Sequence, residues 1–219
     1  MTGKKPFDPL DQRNLAESVA RAALEHEGRS LTIEDTESVE GAGVYLIYYT
    51  GPFAAYAPLA AVNSPSNLNV PIYVGKAVHS GGRKGLEDLD AGTPNGRPLR
   101  KRLREHAKSI QAAGNLDIDD FFYRHLTVDD TFVALGERGL ISKFVPVWNA
   151  LVDGFGNHVP GGKRGTSTRS RWDTLHPGRP WADDLAGRNE TADQISDDAL
   201  EYLRSRIAAP PVDGGAVQS

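Results

Sequence analysis

The chain has 219 residues, no cysteine, 39% hydrophobic residues and a net charge of −4. That length holds one domain with appendages, and the absence of cysteine excludes disulfides, thiolate catalysis and zinc–cysteine sites. No apolar run reaches the length of a signal segment or a membrane span, so a soluble, cytoplasmic protein with no membrane partner is expected.

The net charge conceals an uneven distribution. Residues 1–40 carry 5 basic and 9 acidic side chains, residues 41–181 carry 17 and 12, and residues 182–219 carry 3 and 8. A basic middle lies between acidic arms, and local potential, not total charge, attracts a polyanion. A solvated surface of scattered charge is the plainer alternative.

In chain order, Asp11 can cap a helix running to about Glu27, with Leu15, Val19 and Ala22 on one face and Gly28 at its end. Val44–Tyr49 reads as a strand of β-formers closed by Gly51-Pro52. An Ala/Pro/Asn/Ser-rich insertion from Pro52 to Pro71 leads into a second strand at Pro71–Val74. Residues 79–96 are Gly-rich and polar and read as a loop. Pro98 suits the first turn of a helix to about Ala113. A third strand is expected over Phe121–Val128 and a helix from Thr131 to about Phe144, stopped before Pro146. Residues 153–181 show little periodicity. A last helix covers about Asp193 to Ile207, and the tail from Pro210 is expected to be disordered.

The helix from Pro98 separates its cations. At about 100° per residue, Leu99, Leu103, Ala107 and Ile110 form a buried stripe, with His106 almost on it and Arg102 on its flank. Arg100, Lys101, Arg104 and Lys108 lie opposite, where they face solvent or a DNA backbone. Arg102 itself suits either an interior ion pair or a phosphate. On the next helix, Glu137 falls among Val133, Leu140, Ile141 and Phe144, beside Gly136. A carboxylate there needs a partner or a metal, and a hard oxygen ligand suits magnesium. Tyr45 and Tyr49 share one strand side, where tyrosine also serves as core. Lys76, Arg102 and His106 are cations that could lower a phenol's proton affinity. His26, His79 and His125 read as surface residues. The D/E-x-K nuclease core and HExxH are absent, and Gly156–Lys163 fails the phosphate-loop spacing.

Taken together, Gly43-Val44-Tyr45, Tyr73-Val74-Gly75, Arg102 and His106 in Arg-x3-His, Glu137 and Asn149 resemble, in order, the motifs of the GIY-YIG nucleases. The nearest likeness is to their Type II restriction endonucleases. The resemblance covers about residues 41–158 and departs in one respect, since Tyr45 and Tyr73 are 28 positions apart, a gap longer than usual that leaves the strand pairing open. It implies an α+β fold: a small, mainly antiparallel three-stranded sheet flanked by helices, with an N-terminal helical arm (1–40), the nuclease core (41–158) and a C-terminal recognition segment, helix and tail (159–219).

The resemblance also implies a chemistry. Tyr45 would be the general base, helped by His106 or Lys76. Arg102 would clamp the phosphate, Tyr73 would bind a phosphate oxygen or the nucleophile, and Glu137 would hold Mg2+ (with Mn2+ as a substitute). Asn149 would orient Glu137 or a nearby backbone group. Residues 170–181 resemble the C-terminal part of enzymes that recognise 5′-CCGCGG-3′. A homodimer or tetramer on double-stranded DNA follows, paired functionally with a cognate DNA methyltransferase without direct contact. Phosphate contacts carry no sequence, and arginine is the usual reader of guanine. Lys163, Arg164, Arg169, Arg171 and Arg179 are therefore the candidate DNA contacts of that segment, unless it only packs through Trp172 and Trp181. A repair or homing nuclease, or a non-catalytic DNA-binding protein, is the alternative.

Overall fold

The computed structural model describes residues 11–79, 96–157 and 168–207. Helix α1 (Gln12–Glu25) begins where expected, at Asp11, whose carboxylate accepts the Arg13 N–H at 2.9 Å and so satisfies one orphan donor of the first turn. A two-residue strand, β1 (Arg29–Ser30), follows, then β2 (Gly43–Tyr49). The Pro52–Pro71 insertion is not a bare loop. It holds the short helix α2 (Ala57–Val62) and is fastened by Asn63, whose amide oxygen accepts from the N–H groups of Asn69 and Val70 at 2.8 and 2.9 Å.

Next come β3 (Tyr73–Ala77), α3 (Pro98–Ala112), β4 (Phe121–Thr127) and α4 (Asp130–Phe144). Then follow α5 (Val147–Ala150), α6 (Arg171–Leu175), α7 (Pro180–Asp183) and α8 (Ala192–Ile207). Among its described residues, the aperiodic stretch at 153–181 thus holds the five-residue α6 and the start of the four-residue α7, both too short to show a full amphipathic period.

The sheet is antiparallel throughout in the order β1-β4-β2-β3. It has four strands where the sequence predicts three, because β1 adds to the edge at β4. The long insertion leaves the central pairing intact: Tyr45 faces Gly75 and Ile47 faces Tyr73 across β2 and β3. All seven residues of β2 are buried. Their alternation feeds two cores, Tyr45, Ile47 and Tyr49 into one and Val44, Leu46 and Tyr48 into the other. The second core is closed by α1 and α4. The first is closed by Leu99, Leu103, Ala107 and Ile110 of α3 and by Ile195, Ala199 and Leu203 of α8, and α8 also packs on α2 and α6. Among the described residues no helix is long and apolar enough to cross a membrane.

Candidate active site

Tyr45 lies at the centre of the site, fully buried on β2. Its hydroxyl is 2.7 Å from His106 Nε2, so the buried helix face of α3 meets the strand through a phenol–imidazole hydrogen bond. The space for that phenol is made by its cross-strand neighbour. A Cβ on Gly75 would collide with the Tyr45 hydroxyl and ring, so the glycine of Tyr73-Val74-Gly75 is required by close approach and not by an unusual φ. The Tyr73 ring lies 6.3 Å from the Tyr45 ring and 5.3 Å from that of His106.

Burial pushes the Tyr45 phenol well above its usual pKa, and Tyr73 reinforces this while Arg102 opposes it. Tyr73 is raised for the same first reason, again opposed by Arg102. The expectation that nearby cations leave Tyr45 with a lowered proton affinity is therefore corrected. Desolvation of the anion outweighs the guanidinium, and the resting group is a neutral phenol hydrogen-bonded to His106.

Arg102 reaches the two tyrosines from the flank of α3 and is also 3.2 Å from Glu105. Glu137 comes from α4, in the opposite helical layer. It is half-buried beside the fully buried Val133, Gly136 and Leu140, at the flank of that stripe and not its centre. It also has a partner, since Lys76 Nζ of β3 lies 2.7 Å from Glu137 Oε2. Tyr45, Tyr73, Lys76, Lys101, Arg102 and Glu137 all line one open cleft of about 770 Å³. Asn149 does not touch Glu137. Its amide accepts from Val74 N–H and donates to Val74 C=O, both at 2.8 Å, which locks β3 between Tyr73 and Gly75.

One carboxylate among cations fits a magnesium ion, which keeps most of its water and takes one or two protein carboxylates plus substrate phosphate oxygens. The carboxylate already faces one cation, the Lys76 ammonium at 2.7 Å. Among the described residues no cluster of three or more His, Asp or Glu side chains offers a site for a metal of higher protein coordination.

The residues predicted to touch DNA divide sharply. Arg100 and Arg104 lie on the outer face of α3, both bound to the carboxylate of Glu37. Lys101 and Lys108 are exposed there. Lys163 and Arg164 lie outside the described residues. Arg169 donates to the carbonyls of Ala182 and Asp183. Arg171 is held by Glu190 and Asp198, with a further bond to Leu151 C=O at 3.2 Å.

Arg179 is 3% exposed. It pairs with Asp173 at 2.6 Å, donates to the carbonyls of Gly154, Phe155 and Asn157, and lies between the Trp172 and Trp181 rings. An arginine so enclosed has no edge to offer a base. For Arg171 and Arg179 the guanine-reading expectation is replaced by internal roles.

Two residues of the site carry no sequence signal. Phe155, alone in a Gly-rich stretch, stacks on His106 with ring centres 4.4 Å apart and planes at 17°. His79, read as a surface residue, stands on the rim of the cleft near Asp130. A family model described as the Eco29kI GIY-YIG domain matches residues 37–203. A search of curated proteins finds no match.

Proposed function

The chain belongs to the Eco29kI GIY-YIG family of restriction endonucleases, and from that premise we propose a Type II enzyme that hydrolyses duplex DNA at a G/C-rich palindrome, 5′-CCGCGG-3′, with one Mg2+ per site. The observation that carries the reading is the convergence of Tyr45, Tyr73, Lys76, Arg102 and Glu137 on one cleft. A palindrome matches two-fold symmetry, so a homodimer places one such cleft on each strand.

Magnesium bound by Glu137 would stabilise negative charge on the leaving 3′ oxygen. The rest of the chemistry belongs to the protein. Arg102 has a planar fork that suits the scissile phosphate. Water enters beside the Tyr45 hydroxyl. As it attacks phosphorus, its proton passes to the Tyr45 oxygen and the phenol's own proton passes to His106 Nε2, 2.7 Å away. A phenol of high pKa can act in this way because it relays a proton and never needs to stand as a free anion. The P–O3′ bond breaks, leaving a 5′-phosphate and a 3′-hydroxyl.

The test is cleavage of a plasmid that carries one CCGCGG site, with Mg2+ and with EDTA. Linear product with fixed ends only in Mg2+ is expected. No cleavage in Mg2+ or Mn2+ would remove the catalytic reading, and scattered ends would remove the site-specific one.

A further inference from the structure

His106 has to keep one ring orientation for its Nε2 to meet the Tyr45 hydroxyl at 2.7 Å. The face of the imidazole is covered by Phe155, nearly parallel at 4.4 Å. Phe155 is itself 1% exposed and also packs edge-on to Tyr73, with ring centres 5.0 Å apart. The next residue, Gly156, brings its backbone so close that a Cβ there would lie 2.9 Å from the Tyr73 hydroxyl. Residues 154–157 thus form a wall behind the tyrosine–histidine cluster.

Within that wall Asn157 N–H donates to Gly154 C=O at 3.0 Å. Its carbonyls are also gathered by Arg179, at 2.9 Å from Gly154 O, 3.0 Å from Phe155 O and 3.3 Å from Asn157 O. A guanidinium is costly to bury unless its donors are met. Here Asp173 and the two tryptophans complete the enclosure.

We propose that Phe155 is a positioning residue of the reaction, holding the His106 imidazole against the Tyr45 hydroxyl, and that Arg179 clamps Phe155 in place. The proposal rests on the nuclease reading for its activity arm but not for its spectroscopic arm. It makes the segment after residue 170 part of the catalytic apparatus without contact to substrate.

The test uses the full chain with Phe155→Leu, which keeps an apolar filling but loses the stack, and Arg179→Lys, which keeps the charge but loses the fork. Single-turnover rate and DNA affinity are measured per folded molecule, and the His106 ring 15N signals are recorded in histidine-labelled free protein. Both variants are expected to lose at least tenfold in rate with DNA affinity within twofold. The His106 signals should broaden or shift toward a mixture of tautomers. A wild-type rate with unchanged His106 signals would overturn the proposal, as would a loss of activity accounted for entirely by a smaller folded fraction. Where Phe155→Leu folds poorly, Phe155→Met serves with the same outcomes. Relaxed discrimination between cognate and singly substituted sites in Arg179→Lys, at unchanged rate, would return Arg179 to base reading. A wild-type protein that cuts no DNA would sink the nuclease reading alone, and the 15N signals would still decide the positioning role.

Discussion

Tyr45 is asked to be both a packed core residue and a chemical group, and its surroundings let the two uses be separated. Tyr45→Phe removes one hydroxyl and leaves the ring in place. The buried His106 then loses one hydrogen-bond partner, a cost of about 1–3 kcal/mol, so the thermal midpoint should fall modestly while turnover per folded molecule falls at least a hundredfold. A steep loss of stability with normal turnover, read by calorimetry beside single-turnover cleavage, would make Tyr45 purely structural. Glu137→Gln is the complementary case. It removes the proposed metal ligand and the Lys76 ion pair but no proposed phosphate contact, so cleavage should vanish while cognate binding in Ca2+ persists. Cleavage by that variant at saturating Mg2+ would place the metal elsewhere. The sequence points to His106 and Glu137 by period and residue type, and to Tyr45 only through the resemblance of the ordered motifs, because a lone strand tyrosine reads as core. It could not show Lys76 as the partner of Glu137, since that pair joins a strand to a helix packed on the other face of the sheet. Arg179 misleads for a related reason: an arginine in a stretch without periodicity looks exposed, and only the flanking Trp172, Asp173 and Trp181 hint that it is enclosed.

Among the elements, α3 is the most divided. Its inner face supplies His106 and Arg102, and its outer face holds four cations, two of which share Glu37, while Arg97 at its start pairs with Glu40 at 3.0 Å. One carboxylate bridging two guanidinium groups presents the same kind of charge that a phosphate would. Such exposed pairs contribute little to stability but must be broken before DNA binds there. Glu37→Gln should therefore raise affinity for non-cognate duplex by about three- to tenfold at low salt and steepen the salt dependence. Lys101→Ala should lower affinity and reduce the slope by about one unit. Anisotropy titrations over a salt series measure both. Equal affinity of Glu37→Gln and wild type would turn this face away from DNA. The long helices α1, α3, α4 and α8 were legible because each carries several turns of periodic burial. The helices α2, α6 and α7 and the strand β1 were not, because they span only two to six residues and owe their form to tertiary contacts.

Across the whole molecule, the insertion and the C-terminal segment meet at a buried polar junction. Tyr56 is hydrogen-bonded to His176 Nε2 at 2.6 Å, Trp148 Nε1–H donates to Tyr56 at 2.8 Å, and Asn115 meets His176 Nδ1 at 2.9 Å. Burial lowers the His176 pKa from 6.5 to about 3. The unfolded chain therefore takes up a proton below pH 6.5 that the native state refuses. The stability this neutral histidine holds above that pH is lost at about 1.4 kcal/mol per unit as pH falls toward 3. Urea midpoints should drop between pH 7 and pH 5, and His176→Gln should flatten that dependence. Parallel pH profiles for the two proteins would refute it. The fold class was legible from ordered motifs within residues 43–149. This junction was not, because its members lie up to 120 positions apart.

The wall at residues 154–157 and its clamp at Arg179 also set a schedule for synthesis. A ribosome adds roughly 5–20 residues per second, so Tyr45, Tyr73, His106 and Glu137 all emerge seconds before Arg179, the proposed clamp of Phe155. A nascent or prematurely ended chain that stops short of Arg179 would carry all of these groups without the proposed clamp. On the proposed clamp, an incomplete nuclease would cut at least tenfold more slowly than a chain that includes Arg179, which would limit the damage done by partial products.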